Sequence, residues 1–475
     1  MAHGITAVGG YLPLLRLDRK AAARELSWSG LPMPRAGTRA VAGWDEDALT
    51  MAVEAARGLM ADAPPAALRF ASTSAYFTDR AQSAIAVDAL ALPRSTRSTD
   101  AANSRRAATG ALLDALLGQA SEIVTAGEKR RTQAGSAAQL AFGDGASAVR
   151  TGPDAAARLA GHATLSHDLI DRYASQDHPA SYAYEERFVR DVAVAELLVP
   201  AIKAACADAG IAPSALAHAA CAEPVAATWK AVARALGCPA SNHCESVTAH
   251  AGDLGAAHAL YGLGLAFAAA QPGDFVLLVG FGSGVDALVF EVLAPVPGAV
   301  DMAAGLSAGQ PLTSYSRFLN LAGSVDLDWG MRSEFEQKAQ ATVLERIGRD
   351  MIGFVGGRDS LGNVQFPKSP MPVNPALDKP EVLEDVRLAE LEATIVSVTA
   401  DRLNYTPDPP FDFGLVQFDN GARVLMEMVD RPDGGFAVGQ RVRMRLRIKS
   451  QNPRLGFRTY FWKAAPLARP QLGEA

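Results

Sequence analysis

The sequence predicts an α/β protein that uses one βα unit twice and then continues into a small all-β barrel. Three observations predict it. From residue 1 to about 320, short apolar strands alternate with Ala- and Gly-rich amphipathic helices. Within that stretch a polar turn opens a small-residue helix, followed by a strand and GDGASAV (143–149); AGDLGAA (251–257) opens a second such helix, followed by a strand and GFGSGVDALVF (280–290). Repetition at this scale suggests a duplicated unit with pseudo-twofold symmetry, the competing explanation being chance likeness between Ala-rich segments. Beyond about residue 350 the composition changes: Pro and Gly cluster at 356–380, and short strands with tight turns run from 391 to 463.

In chain order, residues 5–9 and 68–73 read as strands. Residues 106–117 read as a helix, because Ala107, Ala111, Leu112 and Ala115 fall on one face. Strands follow at 123–126 and 146–150. The second half has a helix at 194–207, a strand at 218–221, a long helix at 255–270, the turn Pro272-Gly273-Asp274, and strands at 275–280 and 286–292. Residues 321–350 read as a charged connecting helix. Asp419-Asn420-Gly421 signals a hairpin, since Asn and Gly accept the positive φ of a tight turn, and Asp433-Gly434-Gly435 signals a second turn. Val442, Met444, Leu446 and Ile448 alternate with Arg441, Arg443, Arg445, Arg447 and Lys449, the pattern of a half-buried strand.

Composition narrows the class. Hydrophobic residues make up 49% and charged residues 20% of the 475, a globular balance with room for two or three domains. A net charge of -6 argues against nucleic acid as a partner. The four cysteines, Cys206, Cys221, Cys238 and Cys244, form no C-x-x-C pair, so a disulfide framework and structural zinc are both disfavoured and a reducing compartment is expected. The start of the chain lacks the basic flank and long apolar core of a signal peptide, and the apolar strand at 275–280 is too short to span a bilayer. The expectation is a cytoplasmic protein with no membrane segment.

GITAVGGYLP (4–13), TDAANSRRAATGALL (99–113), TAGEKRRTQAGSAAQLAFGDGASAV (125–149), GDLGAAHALYGLGLAFAAAQPGDFVLLVGFGSG (252–284) and SYSRFL (314–319) together resemble the hydroxymethylglutaryl-CoA synthase and ketoacyl synthase III branch of the thiolase superfamily. GNVQFPKSP (362–370), YTPDPPFDFGLVQFDNGARVL (405–425) and VGQRVRMRL (438–446) resemble the zinc-ribbon plus OB-fold domain that accompanies such enzymes. The resemblance implies a duplicated, five-layered α-β-α-β-α module at 1–320, a linker helix at 321–350, a zinc-ribbon remnant at 351–380 and an OB-fold barrel at 388–466. It further implies a homodimer that takes a CoA thioester as ligand and associates with a thiolase. The family's four zinc cysteines correspond to Arg358, Leu361, Pro372 and Pro375, none of which is a zinc donor, so no zinc is expected.

The same resemblance puts the chemistry in question. Condensation on a thioester needs a nucleophile, a proton shuttle and an oxyanion site. The family's nucleophilic Cys falls at Arg105, its general-base His at Ala222, its Asn at Asp253 and its acid/base Glu at Ser74. A guanidinium that stays protonated cannot be the nucleophile. Arg105 then has two readings of equal weight. One is a packed arginine in a silenced pocket. The other is an anion grip at a helix start, where a bare cation opposes the dipole at a cost of roughly 0.3–1 kcal/mol. Asp253 is its expected partner, because duplication brings both helix starts to one site. Among possible substitutes, His250 and Glu223 stand near the relevant segments, with His243 beside them. Cys221 and Cys244 read as small core residues, and Ser104 has nothing nearby in sequence to activate it.

GFGSG (280–284) follows a strand but leads into another strand, so a dinucleotide fingerprint is rejected and Gly282 and Ser283 become substrate-contact candidates. The basic strand at 441–449, with Arg454 and Arg458 beyond it, reads first as a solvated face and second as a surface for a partner or for CoA phosphates. Two functions follow. The first is an acyl-CoA-binding subunit without Cys-His-Asn catalysis that supports thiolytic or Claisen chemistry with a partner thiolase. The second is an active enzyme that condenses, cleaves or hydrolyses acyl-CoA at a rearranged, non-covalent site.

Overall fold

The computed structural model describes residues 3–325, 327 and 348–467, apart from 32, 62, 184, 239, 240, 370, 372, 378, 405 and 453–455. Its centre is a nine-stranded sheet. The spatial order is Leu216–Cys221, Phe275–Phe281, Gly284–Val292, Ala157–Ser166, Gly4–Tyr11, Gly145–Gly152, Glu122–Glu128, Ala67–Ser72 and Arg97–Ala102. The two halves of this order match. In the first, Ala67–Ser72 and Glu122–Glu128 run parallel, and Gly145–Gly152 and then Gly4–Tyr11 follow antiparallel. In the second, Leu216–Cys221 and Phe275–Phe281 run parallel, and Gly284–Val292 and then Ala157–Ser166 follow antiparallel. The halves join where Ile5 pairs with Ala157. The echo between 143–149 and 280–290 is therefore topological, since each segment leads into the antiparallel strand of its own half.

Two helices fill the space between the halves. Ala107–Leu117 packs on strands of both, and so does His258–Ala269. From His258 to Phe267 every residue of the second helix is buried, as its nearly unbroken apolar composition requires. Ala48–Arg57 covers the outer face of the first half and Val199–Asp208 that of the second, which gives five layers. The helix expected at 194–207 is more elaborate. It runs from Glu186 as an α-helix, widens to a π-turn over Ala193–Leu198, and resumes as Val199–Asp208. Pro200 in the first turn of the last piece has no N–H to continue the i→i−4 ladder. Among the described residues no helix is long and apolar enough to cross a membrane.

After Tyr315–Leu321 the expected connecting helix lies mostly outside the described residues. A three-stranded sheet follows, ordered Val364–Gln365, Val355–Arg358, Glu384–Arg387. Arg358 pairs with Glu384 and Leu361 is exposed, while Pro372 lies outside the described residues. The loops here are tied by Asp359, whose carboxylate accepts from Leu361 N at 3.0 Å, Asn363 N at 2.8 Å and Asn374 Nδ2 at 3.2 Å.

The last sheet is antiparallel. Phe411–Phe418 pairs on one edge with Arg423–Glu427, through the Asp419-Asn420-Gly421 turn, and on the other with Ala393–Ile395 and Thr399–Asp401. Arg441–Asn452 joins Ala393–Ile395 to Phe457–Pro466. Met428 bridges Ala464, and Val429 N donates to Ala464 O at 2.8 Å, so the sheet curls back on itself.

Val442, Met444, Leu446 and Ile448 are buried, as their alternation predicts. Arg441 and Lys449 have exposed side chains, as a solvated face requires, but Arg445 and Arg447 correct that expectation. Arg445 pairs with Glu54, and Arg447 lies 3.1 Å from Glu46 and 3.2 Å from Asp430. Lys463 is 2.9 Å from both Asp45 and Glu427, and Arg458 is 3.1 Å from Asp47. Arg454 is outside the described residues. Cations of the strands Arg441–Asn452 and Phe457–Pro466 thus face an acidic patch, Asp45-Glu46-Asp47 and Glu54, that the chain itself supplies. One apolar cluster spans the seam, with Leu49, Val53 and Phe70 on one side and Leu446, Ile448 and Trp462 on the other.

Candidate functional site

Parallel strands expose their carboxyl ends to loops, and ligands in such sheets sit there. Here Ala67–Ser72 and Glu122–Glu128 end at a cavity of about 3260 Å³. Its wall is made by the segments that follow those strands (72–81 and 129–132), by 100–105, by 168–176 and 179–181, by Gly282 and Ser283, and by Lys449–Asn452 and Arg458 of the C-terminal sheet.

The start of the helix Ala107–Leu117 is held against the glycine loop. Ser104 Oγ donates to Gly282 O at 2.8 Å and accepts from Arg106 N at 3.1 Å. A Cβ on Gly282 would come within 2.7 Å of Ser104 Oγ and 3.1 Å of Arg105 N, and its φ is +156°, so only glycine allows this approach. Asn103 and Ser283, on either side of the contact, also take positive φ, +67° and +47°. Gly282 and Ser283 line the cavity as expected.

Arg105 lies at the floor, its side chain 7% exposed. Its direct partner corrects the expectation: it is Asp171, not Asp253. Asp253 is held instead by Arg172 Nη1 at 2.7 Å and by Arg130 Nη2 at 3.3 Å, and Arg130 also donates to its carbonyl oxygen. Both guanidiniums lie over the Phe142 ring, at 3.7 Å for Arg130 and 5.1 Å for Arg172. Burial would raise the Asp253 carboxyl, but Arg130, Arg172, His258 and Arg105 outweigh it and hold it well below the usual carboxylate range. Burial, with Arg172 and Arg130 adding repulsion, pushes Arg105 well below an ordinary guanidinium despite Asp253 and Glu128. Duplication does bring both helix starts to one electrostatic site. The loop residue Asp171 makes the closer contact.

Ser74 lines the cavity and donates to Glu128 Oε2 at 2.5 Å, while Lys129 N donates to Ser74 Oγ at 2.9 Å. Glu128, fully buried, also accepts from Thr73 N and Thr73 Oγ1 at 2.9 Å and from Ala256 N at 3.1 Å. It ties the first half to the helix start of the second. His258 Nδ1 accepts from Leu254 N at 3.1 Å, and burial pushes the imidazole down to about 4 although Asp253 pulls the other way.

The remaining candidates lie elsewhere. Ala222 is buried off the cavity wall, its N–H bonded to Val279 O at 3.1 Å. Glu223 accepts from Thr228 N at 2.8 Å and from Asn242 Nδ2 at 3.4 Å, and burial raises its carboxyl; it serves the helix Thr228–Leu236 rather than the cavity. His250 is exposed, with Nδ1 2.8 Å from Ser246 O, and His243 pairs with His218 at 3.2 Å. Glu223 and His250 are therefore corrected as substitutes, since nearness in sequence did not bring either to the cavity wall. Cys221 and Cys244 are buried, and burial raises both thiols well above the usual range. Among the described residues that line the cavity there is neither Cys nor His, and no group of three His, Cys, Asp or Glu is arranged to hold a metal.

Sequence reasoning missed Glu128, Arg130, Asp171, Arg172 and His258. Glu128 and Arg130 had a signal: TAGEKR carries charge at the end of an apolar strand that leads to a sheet's carboxyl edge. Asp171 and Arg172 had none.

No family model matches the chain. The hydroxymethylglutaryl-CoA synthase of Aeropyrum pernix is 27% identical over 354 residues, covering 70% of this chain and 94% of that protein. That of Pyrobaculum arsenaticum is 29% identical over 311 residues, covering 62% of this chain and 88% of its own. Among solved structures, a hydroxymethylglutaryl-CoA synthase complexed with CoA superposes with a TM-score of 0.58 at 16% identity, over 71% of this chain and 95% of that one. MvaS in complex with 3-hydroxy-3-methylglutaryl coenzyme A gives 0.55 at 18%, over 67% and 91%. The 3-oxoacyl-(acyl carrier protein) synthase III of Pseudomonas aeruginosa gives 0.52 at 19%, over 62% and 99%. The chain therefore has a thiolase-like α/β fold and is similar in sequence to hydroxymethylglutaryl-CoA synthases.

Proposed function

We propose that the cavity binds an acyl-CoA and that the chain supports thiolytic or Claisen C–C chemistry on CoA thioesters beside a partner thiolase, without forming an acyl-enzyme itself. The observation that carries this reading is the buried, ion-paired Arg105 at the start of a central helix, on a described wall that holds no Cys or His. Nucleophilic catalysis on a thioester needs an ionisable sulfur or an activated hydroxyl at such a point. The correspondence of Arg105, Ala222, Asp253 and Ser74 with the family's Cys, His, Asn and Glu agrees with it. The CoA and hydroxymethylglutaryl-CoA named with the related structures are the model for the ligand.

A second reading, a non-covalent enzyme, is favoured by the Ser74 hydroxyl on the cavity wall, which is backed by the Glu128 carboxylate at 2.5 Å. In this reading Ser74 and Glu128 move a proton while Arg105 steadies developing negative charge.

We assign the C-terminal sheet to an OB-fold barrel, on its antiparallel strands, its hairpin turn and the curl closed by Met428 and Ala464. We assign the chain to a homodimer. Arg97–Ala102 ends the large sheet and exposes five of its six residues, an open edge of the kind that pairs with a second copy.

Intact-mass spectrometry after incubation with acetyl-CoA tests the leading reading. The expected result is an unmodified chain that still binds CoA by calorimetry. An acetyl group bonded to the chain, or turnover of acyl-CoA by the pure protein, overturns it, the latter in favour of the second reading.

A further inference from the structure

We infer that Arg458 is a positioning residue for the cavity: through Tyr76 it holds the loop that carries Ser74, so a residue of the C-terminal sheet sets the geometry of the α/β site. Only the identity of the ligand rests on the acyl-CoA reading.

Residues 73–81 join the strand Ala67–Ser72 to the helix Gln82–Ala89 and form no helix or strand of their own. One end of this loop is fixed from within the α/β module, where Glu128 accepts from Thr73 N at 2.9 Å and from Ser74 Oγ at 2.5 Å. The other end carries Tyr76 and Phe77, half-buried rings that meet the C-terminal sheet. Arg458 Cζ lies 3.6 Å from the centre of the Tyr76 ring. The Phe77 and Phe457 rings are 6.2 Å apart, and Arg80 lies over both, at 4.8 Å and 5.5 Å. The Arg458 guanidinium is itself held by the sheet and by the turn before Ala48–Arg57. Its Nε donates to Gln451 Oε1 at 3.0 Å and its Nη1 to Asp47 Oδ2 at 3.1 Å, and Tyr460 Oη donates to the same Asp47 oxygen at 2.9 Å. Two bonds to a planar fork fix its orientation, so the ring and the loop conform to it. The Arg458 side chain is 17% exposed, and shielding from water strengthens a cation–π contact. Two residues, about 7 Å of chain at most, separate Tyr76 from Ser74, so displacement of one carries the other. Ser74, Tyr76, Arg80, Gln451 and Arg458 all line the cavity. Stabilising the seam would need only the Asp47 pair; the contact with Tyr76 extends that anchorage to the wall.

The test follows amide hydrogen exchange in the full-length, ligand-free protein and then acetyl-CoA binding by calorimetry. Arg458→Met and Tyr76→Leu are each expected to speed exchange over residues 72–81 about tenfold, the worth of one shielded cation–π contact, and the double variant to add little to either. Tyr76→Phe keeps the ring and should exchange as the wild type does. Arg458→Met also gives up the Asp47 pair. If it does not fold, Tyr76→Leu against Tyr76→Phe decides, since both leave that pair in place. Each variant that loosens the loop should bind acetyl-CoA about tenfold more weakly. Wild-type exchange over 72–81 in Arg458→Met or in Tyr76→Leu, full additivity of the two substitutions, or a loosened loop with unchanged affinity overturns the positioning role while leaving acyl-CoA binding intact. If the loop loosens as expected but the wild-type protein binds no acetyl-CoA, Arg458 stands as the residue that holds the loop and the acyl-CoA reading falls. If the loop stays fixed and nothing binds, both fall.

Discussion

Asp253 shows how one side chain carries a site. Its carboxylate is shared by Arg130 and Arg172, and it lies behind the cavity wall rather than on it. Removing it would leave two buried cations facing each other. Asp253→Ala is expected to cost roughly 3–5 kcal/mol, read from urea unfolding, far more than an exposed ion pair would. His258, in the same cluster, has its imidazole depressed to about 4 by burial. A histidine with a lowered folded pKa contributes stability above the unfolded value of about 6.5, and that stability drains away as pH falls from there towards 4. His258→Gln should flatten the stability curve across that window; an unchanged slope would remove His258 as its cause. At this scale the sequence was half legible. Arg105, Ser74, Gly282 and Ser283 were placed from motifs and do line the cavity. Asp171 and Arg172 arrive on a loop whose path depends on the whole sheet.

The clearest case among elements is the strand Arg441–Asn452. Period-two alternation identifies its buried face from sequence, because successive side chains of a strand point to opposite sides. It does not identify what the other face meets. That face meets the helix Ala48–Arg57 and the turn before it. There Glu54 accepts from Leu446 N at 2.9 Å and pairs with Arg57 and Arg445. Burial alone would raise Glu54, but Arg57, Arg445 and Arg447 outweigh it and hold its carboxyl down at about 2. Its contribution is complete above the unfolded value of about 4.5 and is lost as pH falls from there towards 2. Glu54→Gln should destabilise the protein at neutral pH by roughly 3 kcal/mol and remove much of the acid limb of the unfolding curve. Leu446→Ala, a truncation in the shared core, should cost about 2–5 kcal/mol and shift one global transition.

At the scale of the whole molecule, the C-terminal sheet and the first half of the α/β module share one apolar cluster and a buried set of ion pairs. Separate domains joined by a flexible linker would unfold in two steps. A seam of this kind predicts one calorimetric transition, and two resolved transitions would contradict it. Removing residues 388–467 would strand Asp45, Glu46, Asp47 and Glu54 against exposed apolar surface. The truncated chain is expected to be insoluble or markedly less stable than the full protein, as gel filtration and thermal melts would read.

The sequence by itself determined the α/β class, the duplication, the strand alternation and the turn at 419–421, because each follows from local periodicity or from the φ a residue can adopt. It also placed Arg105 at the nucleophile-like position. The tertiary structure alone decided which charges are paired. It set Asp171 against Arg105 and Glu54 against Arg445, gathered Arg105, Arg130 and Arg172 at the cavity, and left Glu223 and His250 off its wall. Pairing depends on distances between segments from 66 to 391 residues apart in the chain, and only the folded sheet brings those within reach of a Coulomb interaction.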